Sequence, residues 1–346
     1  MNVQWIAGSP RPGAEEIGNT SALLNQALMA SASDTVRAAR LIRHGEALQV
    51  QEVTLPEPGP DEVRVDLEFG GVNPIDGYVA QGRVAPDGPL PRTLGGEGAG
   101  QAEGRAVLVA GERLGAARDG VWSQAAVVPR AAVVALPAGV ETRAAAAVGI
   151  AGLTALNCVR ELARVSAEDR VLVLGASGGV GSMIVSLVHA AGATVWGQTG
   201  SAEKAEGITA QGADRAIVTG PETLAAAIAD LEPTVAFDPL GGEFVRPVVE
   251  SLEPRGRIVS FGTSAGAEVS FNLQTVYRNM LTLYGYGGMQ LNRAERRSGL
   301  EATLRAVRDG ELRVLVDSVL PVAEVNEAFA RLTDRRVRGK LVLDLR

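Results

Sequence analysis

Along residues 170–235 the chain alternates short, continuously apolar runs with stretches whose apolar positions recur every three or four residues. RVLVLGAS reads as a strand buried on both faces. In GVGSMIVSLVHAAG, which follows it, Val180, Met183, Ile184, Leu187 and Val188 fall at i, i+3, i+4, i+7 and i+8. That stripe belongs to a helix lying on a sheet, and Gly192 supplies its stop. ATVWGQ, RAIVT, TVAFDPLGG, GRIVSFG and MLTLYGYGG read as further strands. AEKAEGITAQG, PETLAAAIADL (Pro at its start) and FVRPVVESL read as the helices between them. Strand–helix alternation at this spacing predicts a parallel, doubly wound α/β sheet, a Rossmann domain over 151–284.

The pattern before residue 150 differs. Stretches such as EVRVDLEFGGV and AAVVALP alternate apolar and polar positions and are broken by Pro and Gly, which predicts a β-rich unit with little helix. The last residues, LVLDLR, return to strand character after a helical EVNEAFARLTDR. The nucleotide domain therefore reads as an insertion, with 35–150 plus 285–346 forming the β-rich domain. At 346 residues the chain is too long for one average domain, and two separate cores are expected.

Charge and composition narrow the function. A net charge of −7 argues against a nucleic-acid or anionic-membrane partner, both of which call for a basic face. No apolar run is long enough to span a bilayer. Cys158 is the single cysteine, so no disulfide can form within the chain, and a reducing, cytoplasmic setting is expected. Zinc needs three or four ligands drawn from Cys, His and acids. With Cys158, His44 and His189 the only thiol and imidazoles, neither usual site can be assembled, and no metal is expected. Of the 33 cationic side chains only Lys204 and Lys340 are lysine, which directs attention to where each falls.

The strongest motif is LGASGGVG. Ala176-Ser177-Gly178-Gly179-Val180-Gly181 has the spacing of the dinucleotide fingerprint, with Ala in its first glycine position, between a strand and the helix it opens. Gly178 lets the backbone approach a pyrophosphate, Gly181 lets the helix approach the strand, and the helix N-terminus faces the phosphates. NAD-binding chains carry an acid at the end of the second strand to hold the ribose 2′-hydroxyl. Here Gln198, Thr199, Gly200 and Ser201 stand instead, none of them acidic, and Lys204 follows on the next helical turn. NADPH is the expected cofactor.

Taken in order, GGVNPIDGYVAQG, LGGEGAG, AAAAVGIAGLTAL, VLVLGASGGVG, SAEKAE, GAD, DPLGG, GRIVSFG and GKLVL resemble the zinc-free quinone oxidoreductase (zeta-crystallin-like) branch of the medium-chain dehydrogenase/reductases. The likeness runs from about Leu41 to the C-terminus. It implies a GroES-like β-rich catalytic domain with the inserted Rossmann domain, and a homodimer. It also implies that Asn73 and Tyr78 line the nicotinamide pocket, with Asn73 where zinc-dependent relatives carry a cysteine ligand and Gly96 where they carry histidine. Thr154 and the Phe261–Gly262 backbone would meet the nicotinamide end. Ser201 and Lys204 would hold the 2′-phosphate, and Lys340 is a further cofactor contact. The segment from Glu103 to Gln124 is shorter than the branch's usual form, and Thr219 stands near a position often held by tyrosine. The first departure bears on pocket shape, and the second makes phosphate binding rest on Lys204.

The expected chemistry is hydride transfer from NADPH to a quinone or an α,β-unsaturated carbonyl, with Asn73 and Tyr78 stabilising the developing oxygen in place of a metal. A cofactor-binding protein without turnover and a carbonyl reductase are the alternatives. Two other signals weigh less. LIRHGEA around His44 matches the histidine-phosphatase signature, but His189, the only other histidine, lies in the nucleotide-domain helix. Residues 1–34 fit neither domain: Gly8-Ser9-Pro10-Arg11 and Gly18-Asn19-Thr20 resemble the phosphate loop of flavodoxin-like FMN reductases, over too short a stretch to enclose a flavin. A leader with one amphipathic helix is expected there.

Overall fold

The computed structural model describes residues 35–346, so the expectations for the leader lie outside the described residues. The β-rich part begins with strands β1 (Thr35–Leu41), β2 (Gln49–Thr54), β3 (Glu62–Val72), β4 (Arg92–Thr93), β5 (Glu97–Ala102), β6 (Arg105–Ala110), β7 (Ala125–Pro129) and β8 (Val133–Ala135). β1 is flanked by β2 and β4 in a three-stranded sheet, while β3 pairs antiparallel with both β5 and β7. Fully buried Trp122 organises this unit, its ring nitrogen donating to Gly71 O at 3.2 Å. A side chain at Gly95, where φ is +100°, would stand 2.3 Å from the Trp122 ring, so glycine is required there on both counts.

The parallel sheet follows, with β9 (Arg170–Val173), β10 (Thr194–Thr199), β11 (Arg215–Val218), β12 (Val235–Asp238), β13 (Arg257–Ser260) and β14 (Thr282–Gly285). Its order is β11-β10-β9-β12-β13-β14, which reverses direction beside β9, the switch point where such sheets bind ligands. Both faces are covered, as a parallel sheet demands. Val171, Val173 and Val195 face Met183, Ile184 and Val188 on one side, while Leu172, Leu174 and Ile258 face Leu224, Val248 and Val249 on the other. The stripe read from sequence is the buried face of the helix Gly179–Ala190, except that Val180 is only partly covered.

β15 (Val316–Pro321) and β16 (Lys340–Asp344) then return to the first unit. β16 pairs antiparallel with β3 and parallel with β15, completing a seven-stranded sheet. The result is a GroES-like unit with an inserted Rossmann sheet. The expectation of separate cores holds in part: one cluster around Trp122 stays within the β-rich unit and one around Leu172 and Ile258 within the parallel sheet, but a third is shared. The shared cluster runs unbroken from Phe69, Ala99 and Leu108 through Leu153, Leu156, Leu300 and Leu304 to Val171 and Met183. The helices Ala151–Leu156 and Arg293–Arg308 supply Leu153, Leu156, Leu300 and Leu304 to this shared cluster.

Candidate active site

The dinucleotide loop leaves β9 and turns at Gly175, where φ is +57°. A Cβ on Gly181 would lie 2.3 Å from Gly175 O, so only glycine lets the helix start this close to the strand. Gly178 caps the helix in extended conformation, and a Cβ added there would meet only Gly175 O, at 3.3 Å. The first amides of a twelve-residue helix thus open beside an uncrowded backbone, the arrangement that receives phosphate. The loop is braced from β10: Gln198 O accepts from Ala176 N, and the Gln198 side chain bridges Gly175 N and Thr219 O. Gln198 is therefore scaffold, while Ser177 Oγ sits 3.3 Å from Thr199 Oγ1 at the same edge.

Beyond β10, Ser201 and Lys204 are half-buried and Glu203 is exposed. Lys204 Nζ donates to Arg335 O at 2.5 Å and to Val337 O at 2.9 Å, anchored to the segment that leads into β16. Burial depresses its pKa, the neighbouring Arg338 and Arg335 charges depress it further, and Asp317 and Glu203 oppose them. A cluster of cations thus forms here, where the sequence offered Lys204 alone.

A second group lies at the start of β16. Lys340, Glu97, Asn73 and Asp76 are 3%, 0%, 4% and 5% exposed. Lys340 Nζ donates to Val72 O at 3.1 Å, to Asn73 Oδ1 at 2.6 Å and to Glu97 Oε1 at 2.9 Å. Glu97 Oε1 also accepts from Asn73 Nδ2 at 2.7 Å, and Glu97 Oε2 accepts from Ile150 N at 2.6 Å. Asn73 precedes the helix Pro74–Ala80 but does not cap it with its side chain; instead, Asp76 reaches back to Asn73 N at 2.9 Å and to Gly96 N at 3.2 Å. Burial pushes the Asp76 carboxyl up to about 7. The Asn73 N–H opposes this, the Glu97 charge adds to it, and Lys340 and the Gly96 N–H oppose it more weakly.

Lys340, expected as a cofactor contact, has all three ammonium protons committed inside this cluster. Tyr78 lies on the same short helix as Asn73 but faces outward, 37% exposed, with the Arg83 guanidinium 4.8 Å from its ring centre, and it makes no hydrogen bond to Asn73. Thr154 is half-buried, and its hydroxyl donates to Ile150 O. Phe261 N donates to Asp238 O just past β13, and a Cβ at Gly262 would lie 2.7 Å from Pro239 O. The sequence pattern singled out neither Glu97 nor Asp76. The available signal was an isolated acid inside the small-residue run LGGEGAG, matched by an isolated lysine before LVLDL.

Zinc donors do not converge. Among the described residues no three His, Cys, Asp or Glu side chains are grouped to hold a metal. Burial pushes the Cys158 thiol up to about 12, and both His44 ring nitrogens face the carbonyls of Val79 and Pro86 at 3.2 Å.

A profile of the family described as Zinc-binding dehydrogenase matches residues 179–305. The Quinone oxidoreductase of Pseudomonas aeruginosa is 30% identical over 314 residues, spanning 86% of this chain and 95% of that one. Among solved structures, an NAD-dependent alcohol dehydrogenase gives a TM-score of 0.80 at 29% identity, covering 89% of this chain and 99% of its own. A mycobacterial protein solved in complex with NADPH has the same fold, with a TM-score of 0.79 at 23% identity over 89% of this chain and 99% of that one.

Proposed function

The chain belongs to the quinone oxidoreductase branch of the medium-chain dehydrogenase/reductases and is an oxidoreductase, and on that footing we propose that it reduces quinones or α,β-unsaturated carbonyls with NADPH and without zinc. The observation carrying the cofactor choice is the end of β10, where none of Gln198 to Ser201 is acidic and where Lys204, Arg335 and Arg338 outnumber the carboxylates Asp317 and Glu203. A 2′-phosphate matches that charge, and a carboxylate would have repelled it. The residues suited to hold the dinucleotide are Ala176 to Gly181 at the pyrophosphate, Ser201 and Lys204 at the 2′-phosphate, and Thr154 with Phe261 and Gly262 at the nicotinamide end. In this reading residues 35–150 with 285–346 form the catalytic lobe and 151–284 the nucleotide lobe.

Bound there, NADPH supplies the hydride. The chain's part is to orient the acceptor and hold its developing negative oxygen by hydrogen bonds. Asn73 is the buried candidate, with one amide N–H not engaged by Glu97; Tyr78 is the solvent-facing one. Charge spread over an enolate or a quinol needs fewer donors than an alkoxide, which favours conjugated acceptors over simple ketones. We assign homodimer contact to β14, an edge strand that carries exposed Leu283 and is preceded by exposed Leu273, Tyr277 and Met280, since such an edge invites a second copy. No helix among the described residues is long and apolar enough to cross a membrane.

The test is product analysis with 4-deuterated NADPH and an enone in the presence of a chelator. Deuterium on the β-carbon supports the proposal. Deuterium on the carbonyl carbon with the alkene intact indicates a carbonyl reductase. NADPH binding without turnover on any enone or quinone indicates a non-catalytic role.

A further inference from the structure

The step Gly339–Lys340 touches both halves of the cleft. Gly339 N donates to Ser177 O at 2.8 Å, and Gly339 pairs with Gly178 in an isolated parallel bridge. The Lys340 stem passes so close beneath the loop that a Cβ on Gly179 would stand 2.9 Å from Lys340 Cδ. Its ammonium then emerges on the far side, against Asn73 and Glu97.

The chemistry of these partners is one-directional. An ammonium only donates and a carboxylate only accepts. Lys340 therefore demands the carbonyl end of the Asn73 amide, and Glu97 demands its NH2 end. Turning the amide over would set NH2 against NH3⁺ and a carbonyl against a carboxylate, in a site sealed from water. What remains uncommitted on the Asn73 nitrogen is one N–H, a donor.

We propose that Lys340 and Glu97 are positioning residues that lock the Asn73 amide in one orientation, so that the pocket receives a hydrogen-bond donor suited to an anionic oxygen, and that Gly339 ties this lock to the dinucleotide loop. The inference rests on the reductase reading for the identity of that oxygen, but not for the lock itself. It gives Lys340 a role distinct from cofactor binding, since its ammonium has no proton left to offer a phosphate. It also explains why a lysine persists at 340 in a chain that otherwise uses arginine almost throughout: a compact ammonium meets three acceptors arranged around one nitrogen, whereas a planar guanidinium spreads its donors.

The experiment compares Lys340→Met, Lys340→Met/Glu97→Gln and wild type in full-length protein. The double variant leaves no unpaired buried carboxylate, so it is the one expected to fold if the single variant does not. Three quantities are read: NADPH affinity, kcat and KM for an enone, and the Asn73 side-chain amide signals in protein labelled with ¹⁵N-asparagine, assigned with Asn73→Ser. The expected result is NADPH affinity within about threefold of wild type and kcat lower by about ten- to a hundredfold, as for a misplaced catalytic group, together with shifted or exchange-broadened Asn73 signals. Weaker NADPH binding at unchanged kcat would make Lys340 a cofactor ligand and overturn the proposal, as would unchanged Asn73 signals in the double variant. If wild type reduces no acceptor, the reductase reading fails, and the amide signals still decide whether the lock exists.

Discussion

The ammonium of Lys204 lies 2.9 Å from the carbonyl oxygen of Val337, joining the turn after β10 to the segment that carries Arg335, Arg338 and Lys340. One lysine thus holds this segment to the turn after β10, and in the proposed reading the same ammonium faces the ribose 2′-phosphate.

That double duty makes the Lys204→Ala substitution informative. Hydrogen bonds to charged groups contribute about 1.5–3 kcal/mol, and about 1.4 kcal/mol is tenfold in affinity. NADPH binding is expected to weaken by roughly ten- to a hundredfold while NADH binding stays nearly unchanged, measured by fluorescence titration of both cofactors. An equal loss for both would mean that Lys204 serves only to hold the 335–338 segment and that the phosphate assignment is wrong.

Asp76 gives the fold a pH dependence of calculable sign. Its carboxyl keeps its proton up to about pH 7 in the folded chain but titrates from a reference value of 3.8. Between those values the native state binds more protons than the unfolded one, so this group's contribution to stability falls as pH rises from about 4 to 7 and is level above. Asp76→Asn loses a hydrogen bond to Asn73 N or Gly96 N, a cost that does not vary with pH, and removes the titration. Urea midpoints at fixed ionic strength should therefore move in the variant's favour, relative to wild type, from pH 5 to pH 8. Parallel curves would show that Asp76 is ionised throughout, with Lys340 outweighing burial and Glu97.

Tyr286, just past β14, is another group whose setting sequence did not reveal. Its hydroxyl is sealed from solvent and forms no hydrogen bond of good geometry; burial pushes the phenol up to about 12, with Thr154 and Asn157 near enough to oppose that shift only weakly. A buried unsatisfied donor costs about 1–3 kcal/mol. Tyr286→Phe is thus expected to raise stability by roughly 1 kcal/mol in thermal or urea unfolding, and a loss of stability would reveal a partner for that hydroxyl.

What the sequence made legible divides along the reach of the interactions. The Met183–Val188 stripe, the glycine requirement at Gly181 and the acid-free end of β10 are local patterns, written in neighbouring residues, and each is found in the structure. The Lys340–Asn73 bond spans 267 positions and the Asn73–Glu97 bond 24, so no window along the chain displays the cluster. The shared cluster was hidden for a similar reason. Leu153 and Leu300 look like ordinary helix-face residues, and only packing shows that they join a cluster shared with residues of both sheets. Tyr78 shows the same limit: its neighbours in sequence do not reveal that its ring is partly exposed with the Arg83 guanidinium 4.8 Å from its centre.

Asn73 and Tyr78 can therefore be separated by experiment. Loss of one donor to a developing oxyanion costs about 10²–10³ in rate where water is excluded. Asn73 is buried and held by two charges, so Asn73→Ala should lower kcat in that range with NADPH affinity within a few-fold; Lys340 and Glu97 still neutralise each other, so the variant should fold. Tyr78 faces solvent, and water can stand in for its hydroxyl. Tyr78→Phe should lower kcat by about tenfold at most, well short of the loss expected for a water-excluded donor, again with NADPH affinity preserved. Steady-state kinetics with one enone and one quinone, alongside NADPH titrations, check both. The reverse order, a large loss for Tyr78→Phe and a small one for Asn73→Ala, would move the reacting oxygen to the exposed side of the Pro74–Ala80 helix. The buried cluster would then serve folding rather than chemistry.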